Sequence, residues 1–497
     1  MTLERITRWL AIALGIAFLA LVLALSIMRL AYPYEVEWME GAMLDHVVRI
    51  LSDKPIYAAP SIDFIPWLYP PAYYYVIAGV AKIVGIGFFA GRIISVISTL
   101  LIAFLMGWMV QRITKNRVFA FLTVALYFAT YHATGYYFDI VRNDAFFTMI
   151  IVVVAFIAIQ TRGAVLPACF CAVLFSIAFL TKQQAIFFLP PLALWFWLRD
   201  KKAGIIFTVG AVILIIVSLI ALNATTHGWS TFYMFTIPNA KRADFSVIRM
   251  FDVFPNFAFG PFALSSLALI LLPLLFKEGG RGWLRAFFKS DTGLIVMMAL
   301  AALAAGAVSL GNEGGDRNVM MPFAAFVVPL LPIALYEIRV GKPEFSRYIF
   351  LPILFQFAAL YFNPLSEKMV IASAHQRAGG DAFVAKLRTM PGEVYIPYHG
   401  YILRQAGKAS HAQLLAMLDV LRVHDTTGAR LQSDFDSAFA RHRFSAVIME
   451  ECPLIPCDSV AHYTLGGRMI AEPNVMLTRF GGEATRPEFI FVPKQLK

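Results

Sequence analysis

Charge is what this sequence lacks most. Only 15% of its 497 residues are Asp, Glu, Lys or Arg, against 59% hydrophobic residues and a mean hydropathy of +0.70. A soluble chain of this length is not so apolar, so the composition is that of a polytopic membrane protein. Cysteine is scarce too, and four residues exclude a disulfide scaffold. Cys169 and Cys171 lie in an apolar run. Cys452 and Cys457 flank a proline-containing loop, where an oxidising compartment would allow either a disulfide or two free thiols. Internal repeats, low-complexity tracts and heptads are missing, which excludes solenoids and coiled coils. Histidines 46, 132, 227, 375 and 399 have no metal-ligand spacing, there is no HExxH, and GIGFFAG (85–91) does not match the dinucleotide fingerprint.

What the chain has instead is apolar runs of membrane length. They fall at roughly 9–30, 91–110, 118–136, 145–160, 164–180, 185–198, 204–222, 255–276, 292–310, 319–336 and 347–363. The first follows Arg5 and Arg8 but has no small-residue cleavage site after it, so it reads as an uncleaved span. A further run, 72–89, is short, contains Lys82 and follows Pro70-Pro71. If it does not cross, the loops RITKNR (112–117), Arg162, RDKK (199–202), KEGGRGWLRAFFK (277–289) and EIRVGKPEFSR (337–347) all fall on the side of Arg5 and Arg8. The positive-inside rule selects that arrangement. The same rule accounts for the excess of 42 basic over 31 acidic residues, so nucleic acid is not an expected partner. Eleven spans with the N-terminus in the cytoplasm place the C-terminus outside.

The outer face then collects the polar groups that need explaining. The Tyr32–Pro71 stretch carries Glu35, Glu37 and Glu40, followed by an amphipathic segment in which Met43, Leu44, Val47, Val48 and Leu51 share one face of a helix. A helix beginning at Glu40 could lie along the membrane and stabilise that carboxylate at its N-terminus. A solvated acidic loop is the plainer alternative. Asp139 and Asp144 flank Arg142 at the mouths of two spans, where ionisable groups face a cavity or a partner, or cap a helix. Lys182 and Arg317 are basic residues on the outer side, as an anionic ligand would require; salt bridges to neighbours such as Asp316 explain them equally well.

From about residue 364 the composition changes to that of a soluble domain. EVYIPY (393–398) and FSAVIME (444–450) read as short buried strands, and HAQLLAMLDVLRVH (411–424) has helical spacing. The expected architecture is therefore mainly α: a membrane domain over 1–363 with about eleven transmembrane helices and juxtamembrane helices in its first outer loop, then a small extracytoplasmic α/β domain over 364–497.

In this order the motifs resemble the GT-C membrane glycosyltransferases, in particular the branch of the aminoarabinose transferases and protein O-mannosyltransferases (PMT-like). Glu40 stands nine residues before Arg49 in the first outer loop, then come YPPAYYY (69–75) and GRIIS (91–95). Asp144 opens the fourth span, Thr181-Lys182 follows the fifth, and GGDRNVMMP (314–322) follows the ninth. The departure is in the first loop, where the family's motif is Asp-led and this chain has Glu40-Gly41, with Glu37 as a competitor.

The resemblance implies inverting transfer of a sugar from a polyprenyl-phosphate donor to a glycan, lipid or protein acceptor at the outer face of a bacterial inner membrane. It implies Glu40 as general base with Glu37 in reserve, and Asp144 orienting the acceptor or base. Lys182, Arg317 and Arg142 would bind the leaving phosphate, with Asp139 and Tyr69 as further substrate contacts. No cofactor is expected, a divalent metal is left open, and membrane lipid is the surrounding partner. The rival reading is a multi-span transporter or flippase of a lipid-linked sugar, but such proteins place ionisable groups near the bilayer midplane. A non-catalytic subunit of polysaccharide assembly is a third.

Overall fold

The computed structural model describes residues 2–276, 282–362, 371–450, 461–470, 472, 475–476, 478–480 and 483–494. The chain opens with α1 (Leu3–Leu30), α2 (Glu40–Leu51), α3 (Ala72–Val84), α4 (Phe88–Thr114), α5 (Arg117–Ala129), α6 (Asn143–Gln160), α7 (Val165–Thr181), α8 (Leu189–Arg199) and α9 (Lys201–Thr225). Later helical segments cover Ala263–Leu275, Asp291–Gly311, 317–341 and Leu351–Tyr361. Every apolar run read from the sequence is at least partly helical.

By length and composition six of the described helices could cross a membrane: α1, α4, α6, α9, Asp291–Gly311 and Arg317–Gly341. A seventh appears if Val247–Ala258 and Ala263–Leu275, bent by 92°, form one span. The count of eleven is thus larger than these criteria give, because α5 and α7 have 13 and 17 residues and α8 and Leu351–Tyr361 have 11 each. At 1.5 Å per residue, the 13-residue α3 reaches only about 20 Å, short of a bilayer's hydrocarbon core.

Burial sorts the long helices. The 317–341 segment, α6 and α4 are 94%, 67% and 61% buried over their apolar windows, whereas α1 and α9 are 22% and 17% buried and lie at the rim. On α1 the inward residues are Thr7, Ala11, Gly15, Val22, Ser26 and Arg29, a single stripe at helical spacing. Gly15 is required there, since a Cβ would come within 2.7 Å of Ala125 on α5.

The expected extracytoplasmic domain contains helices Ala374–Thr389, Leu414–Leu421 and Thr426–Ala440, and strands β1 (Glu393–Tyr395), β2 (Phe444–Met449), β3 (Tyr463–Arg468), β4 (Thr478–Phe480), β5 (Glu483–Thr485) and β6 (Phe489–Pro493). A four-stranded sheet runs β1-β2-β6-β3, parallel between β1 and β2 and antiparallel elsewhere; β4 and β5 form a separate hairpin. The two predicted strands and the predicted helix are present. The boundary expected at 363/364, and Cys452 with Cys457, lie outside the described residues.

One expectation about α2 fails. The helix does begin at Glu40, but residues 40–47 are all buried, on the polar side as well as the apolar one. Instead of floating on lipid, α2 is enclosed by α3, α4 and Tyr401–Gln405 of the C-terminal part. A Cβ on Gly41 would come within 2.7 Å of Tyr401 Cβ.

Two sets of charges fix the loop between α1 and α3 in this crowded place. Arg92 of α4, 0% exposed, donates from Nε and Nη2 to the Glu40 carboxylate at 2.8 and 2.7 Å. It also donates to the carbonyls of Arg29, Tyr32 and Tyr34. Glu40 in turn accepts from the amides of Val36 and Val141, each at 2.8 Å. The second set ties the loop to the C-terminal domain. His399 Nδ1 bonds Glu35 and its Nε2 lies 2.8 Å from Glu450, Arg404 and Ser410 reach Asp45, and Arg443 and His411 reach Asp63.

Removing one partner from a buried pair strands the other, so Glu40→Ala should lower unfolding stability by about 3–5 kcal/mol, measured by denaturation in detergent micelles. For His399, burial disfavours the imidazolium, but Glu35 and Glu450 outweigh it and raise the pKa from 6.5 to about 10. The stabilisation is therefore complete below pH 6.5 and lost as the pH rises through about 10. The unfolding midpoint should fall across that window, and His399→Gln should flatten the profile.

Candidate active site

A cavity of about 450 Å³ opens where the loops at one end of the helical part meet the C-terminal domain. Its membrane-side wall carries Glu37, Met39, Tyr69, Tyr137 and Arg142. Glu313, Gly314, Gly315 and Asp316 form a second edge, and the helix Leu414–Leu421 covers it with Leu415, Leu418 and Asp419.

Glu37, 2% exposed, has its carboxylate on this wall. Oε1 accepts from Arg142 Nη1 at 2.9 Å and Oε2 from the amide of Met39 at 3.0 Å. Burial raises this carboxyl above its ordinary range although Arg142 and Arg479 oppose the shift. Arg142 is the hub of the wall. It donates from Nη2 to Tyr69 Oη at 3.2 Å, and its guanidinium lies over the Tyr137 ring at 5.4 Å. Its position follows from the chain, because it is the extended residue just before α6, with the aromatic run Tyr136-Tyr137-Phe138 preceding it.

Glu40, the first-choice base, is not on the cavity. It is 0% exposed, both its oxygens are occupied by Arg92 and backbone amides, and that pairing outweighs burial and holds its carboxyl below the ordinary range. A carboxylate held in that way positions the loop, and the reserve candidate Glu37 lines the space.

Asp139 is likewise elsewhere. It is 0% exposed and accepts from Arg29, Ser26 and Tyr131, fastening α1 to the 130–142 turn. Asp144 and Lys182 are joined to each other in a layer behind the cavity wall, with Asn318 donating to the same Asp144 oxygen at 2.9 Å. Asp144 Oδ2 lies 3.8 Å from Arg142 Nε, so this group braces Arg142 from behind. Arg317 follows Asp316, whose carboxylate accepts from its backbone amide at 2.7 Å; the side chain is not part of the cavity lining.

Several lining residues were not among the candidates read from the sequence. Tyr137 donates to Asp316 Oδ2 at 2.6 Å. Lys241 pairs with Asp419 at 2.7 Å, and Arg422 with Glu313 at 2.6 Å, so two ion pairs connect the C-terminal helix to the loops of the membrane part. Tyr137 might have been suspected from its place beside Arg142, but the ion pairs join residues far apart in sequence and left no local signal. Among the described residues, no group of three or more His, Cys, Asp or Glu side chains is placed to hold a metal ion.

With this geometry established, the comparisons agree with the resemblance drawn from the motifs. Residues 69–224 match the family model of dolichyl-phosphate-mannose-protein mannosyltransferases. The fold matches ArnT from Cupriavidus metallidurans in the apo state, with a TM-score of 0.60 at 12% identity, over 96% of this chain and 97% of that one. ArnT bound to undecaprenyl phosphate superposes with a TM-score of 0.62, again at 12% identity and over the same shares of the two chains. An oligosaccharyltransferase from Archaeoglobus fulgidus scores 0.47 at 10% identity, over 91% of this chain and 71% of that one. No curated protein matches the sequence. The chain has the fold of ArnT and resembles the GT-C, PMT-like glycosyltransferases.

The layering behind Arg142 gives a test of the candidate residues against one another. Lys182→Met strands the buried Asp144 and should cost about 3–5 kcal/mol of stability, whereas Leu418→Ala, at the edge of the cavity, should cost less than about 2 kcal/mol. Unfolding of the two variants in micelles checks the difference.

Proposed function

We propose that this chain is an inverting glycosyltransferase, moving a sugar from a polyprenyl-phosphate-linked donor to an acceptor hydroxyl at the outer face of a bacterial inner membrane. The observation that carries the reading is the Glu37–Arg142 pair on the wall of a 450 Å³ cavity. The fold adds to it, since ArnT, which shares it, has been seen with undecaprenyl phosphate bound.

The step needs a base and a place for negative charge. Glu37 takes the proton of the acceptor hydroxyl, a role suited to a buried carboxylate of raised affinity for protons. The acceptor oxygen attacks the anomeric carbon from the face opposite the phosphate, the bond from that carbon to the phosphate oxygen breaks, and polyprenyl phosphate leaves. Negative charge grows on the departing phosphate, and a fixed cation in a site sheltered from water stabilises it more than water would. Arg142 is the cation of the wall, braced by Asp144 and Lys182; Arg317 is the second candidate from its place after Asp316. Tyr69 and Asp316 then bound the substrate space, and Glu40 and Asp139 hold the framework. The reading assigns no cofactor, and puts the N-terminus in the cytoplasm and the C-terminal domain outside.

Reconstituted protein supplied with labelled polyprenyl-phosphate sugars should transfer the sugar, and Glu37→Gln should reduce the rate by about 100-fold or more. Undiminished transfer by Glu37→Gln contradicts the assignment of the base, and movement of lipid or sugar across the bilayer without transfer contradicts the enzyme.

A further inference from the structure

The C-terminal domain does more than cover the cavity. At residues 36–38 the first outer loop forms a parallel bridge with the β4 strand: the Arg479 amide donates to the Val36 carbonyl at 3.0 Å, and the Trp38 amide donates to the Arg479 carbonyl at 3.2 Å. The residue between those two bonds on the loop is Glu37. Arg479 is 4% exposed, and its guanidinium lies over the Tyr137 ring with 4.3 Å between its carbon and the ring centroid. Tyr137 in turn donates to Asp316, so one arginine adjoins two members of the cavity wall.

We propose that Arg479 is a positioning residue for the Glu37 carboxylate, so that the C-terminal domain completes the transfer site; this rests on the transferase reading above. Burying a guanidinium is costly unless anions offset it. Glu37 and Asp316 both feel the charge of Arg479, so two residues of the cavity wall contribute to the offset. The backbone bridge fixes where Glu37 leaves the loop, and the guanidinium fixes the charge its carboxylate meets. Arg142 holds the same carboxylate directly, and Arg479 acts on it through the field and the backbone.

The charged and titratable groups around Glu37 are Arg142, Arg479, Glu40, Glu35, Tyr69 and Tyr137. Removing the Arg479 charge leaves the acids unchanged and makes Glu37 easier to protonate. The test uses the full-length protein in nanodiscs with a labelled polyprenyl-phosphate sugar, following kcat, the donor KM and the pH–rate profile. Arg479→Gln should lower kcat about tenfold or more, change the donor KM less than about twofold, and move the acid limb of the profile to higher pH. Arg479→Lys should keep the limb near its wild-type position and recover part of kcat. An unmoved limb in Arg479→Gln, with active wild type, overturns this inference alone. Should Arg479→Gln fail to fold, Arg479→Lys decides: reduced kcat with unchanged donor KM supports the inference, and wild-type kcat overturns it. Wild type inactive with every donor overturns the transferase reading and this inference with it.

Discussion

Arg92 carries its charge to a place with no exposure to solvent, and the loop between α1 and α3 is shaped by the need to meet it. The guanidinium spans two oxygens of Glu40 and three backbone carbonyls between Arg29 and Tyr34, so it fixes the end of α1, the loop and the start of α2 in one contact set. Such a buried ion pair adds little net stability compared with apolar packing, but losing either half is expensive, and this makes the geometry specific. Because Val36 and Val141 donate to the same carboxylate, the pair also sets the distance between the loop and the turn that carries Arg142. The meeting of Glu37 with Arg142 depends on that spacing.

The cavity is a product of this spacing and of the C-terminal domain that closes over it. Its floor is a set of aromatic rings with the Glu37 carboxylate and the Arg142 guanidinium, edged by Glu313 and Asp316. The Leu414–Leu421 helix, held by the Lys241–Asp419 and Arg422–Glu313 pairs, covers one side of the cavity. These cover pairs are partly exposed, at 18% and 10% for the first and 33% and 45% for the second. They are therefore weaker than the buried framework pairs beneath them.

Much of this was legible in the sequence. The apolar runs, the two strands and the helix of the C-terminal part and the helix starting at Glu40 follow from local pattern, and local pattern is what a single sequence records. The importance of the Tyr32–Pro71 stretch was legible for the same reason, since acids beside a membrane span stand out. Which acid lines the cavity was not. Glu37 and Glu40 differ by three positions and have the same chemistry, and the choice between them is made by Arg92, 52 residues further along in a span where one arginine in GRIIS gave no hint of its partner. Asp139 and Lys182 were singled out because ionisable groups near spans need a reason, and they have one: each is paired with a buried partner. Arg479 lies far down the chain in a hairpin, and nothing in its neighbourhood connects it to the first loop.

In the proposed transfer, polyprenyl phosphate binds with its phosphate in the cavity beside Glu37 and Arg142. Electron cryomicroscopy of the protein in nanodiscs with undecaprenyl phosphate tests it most directly. The account predicts phosphate density within hydrogen-bonding reach of the Arg142 guanidinium, under the Leu414–Leu421 helix. Phosphate density at the bilayer midplane, or on a face of the molecule away from Arg142, would contradict it.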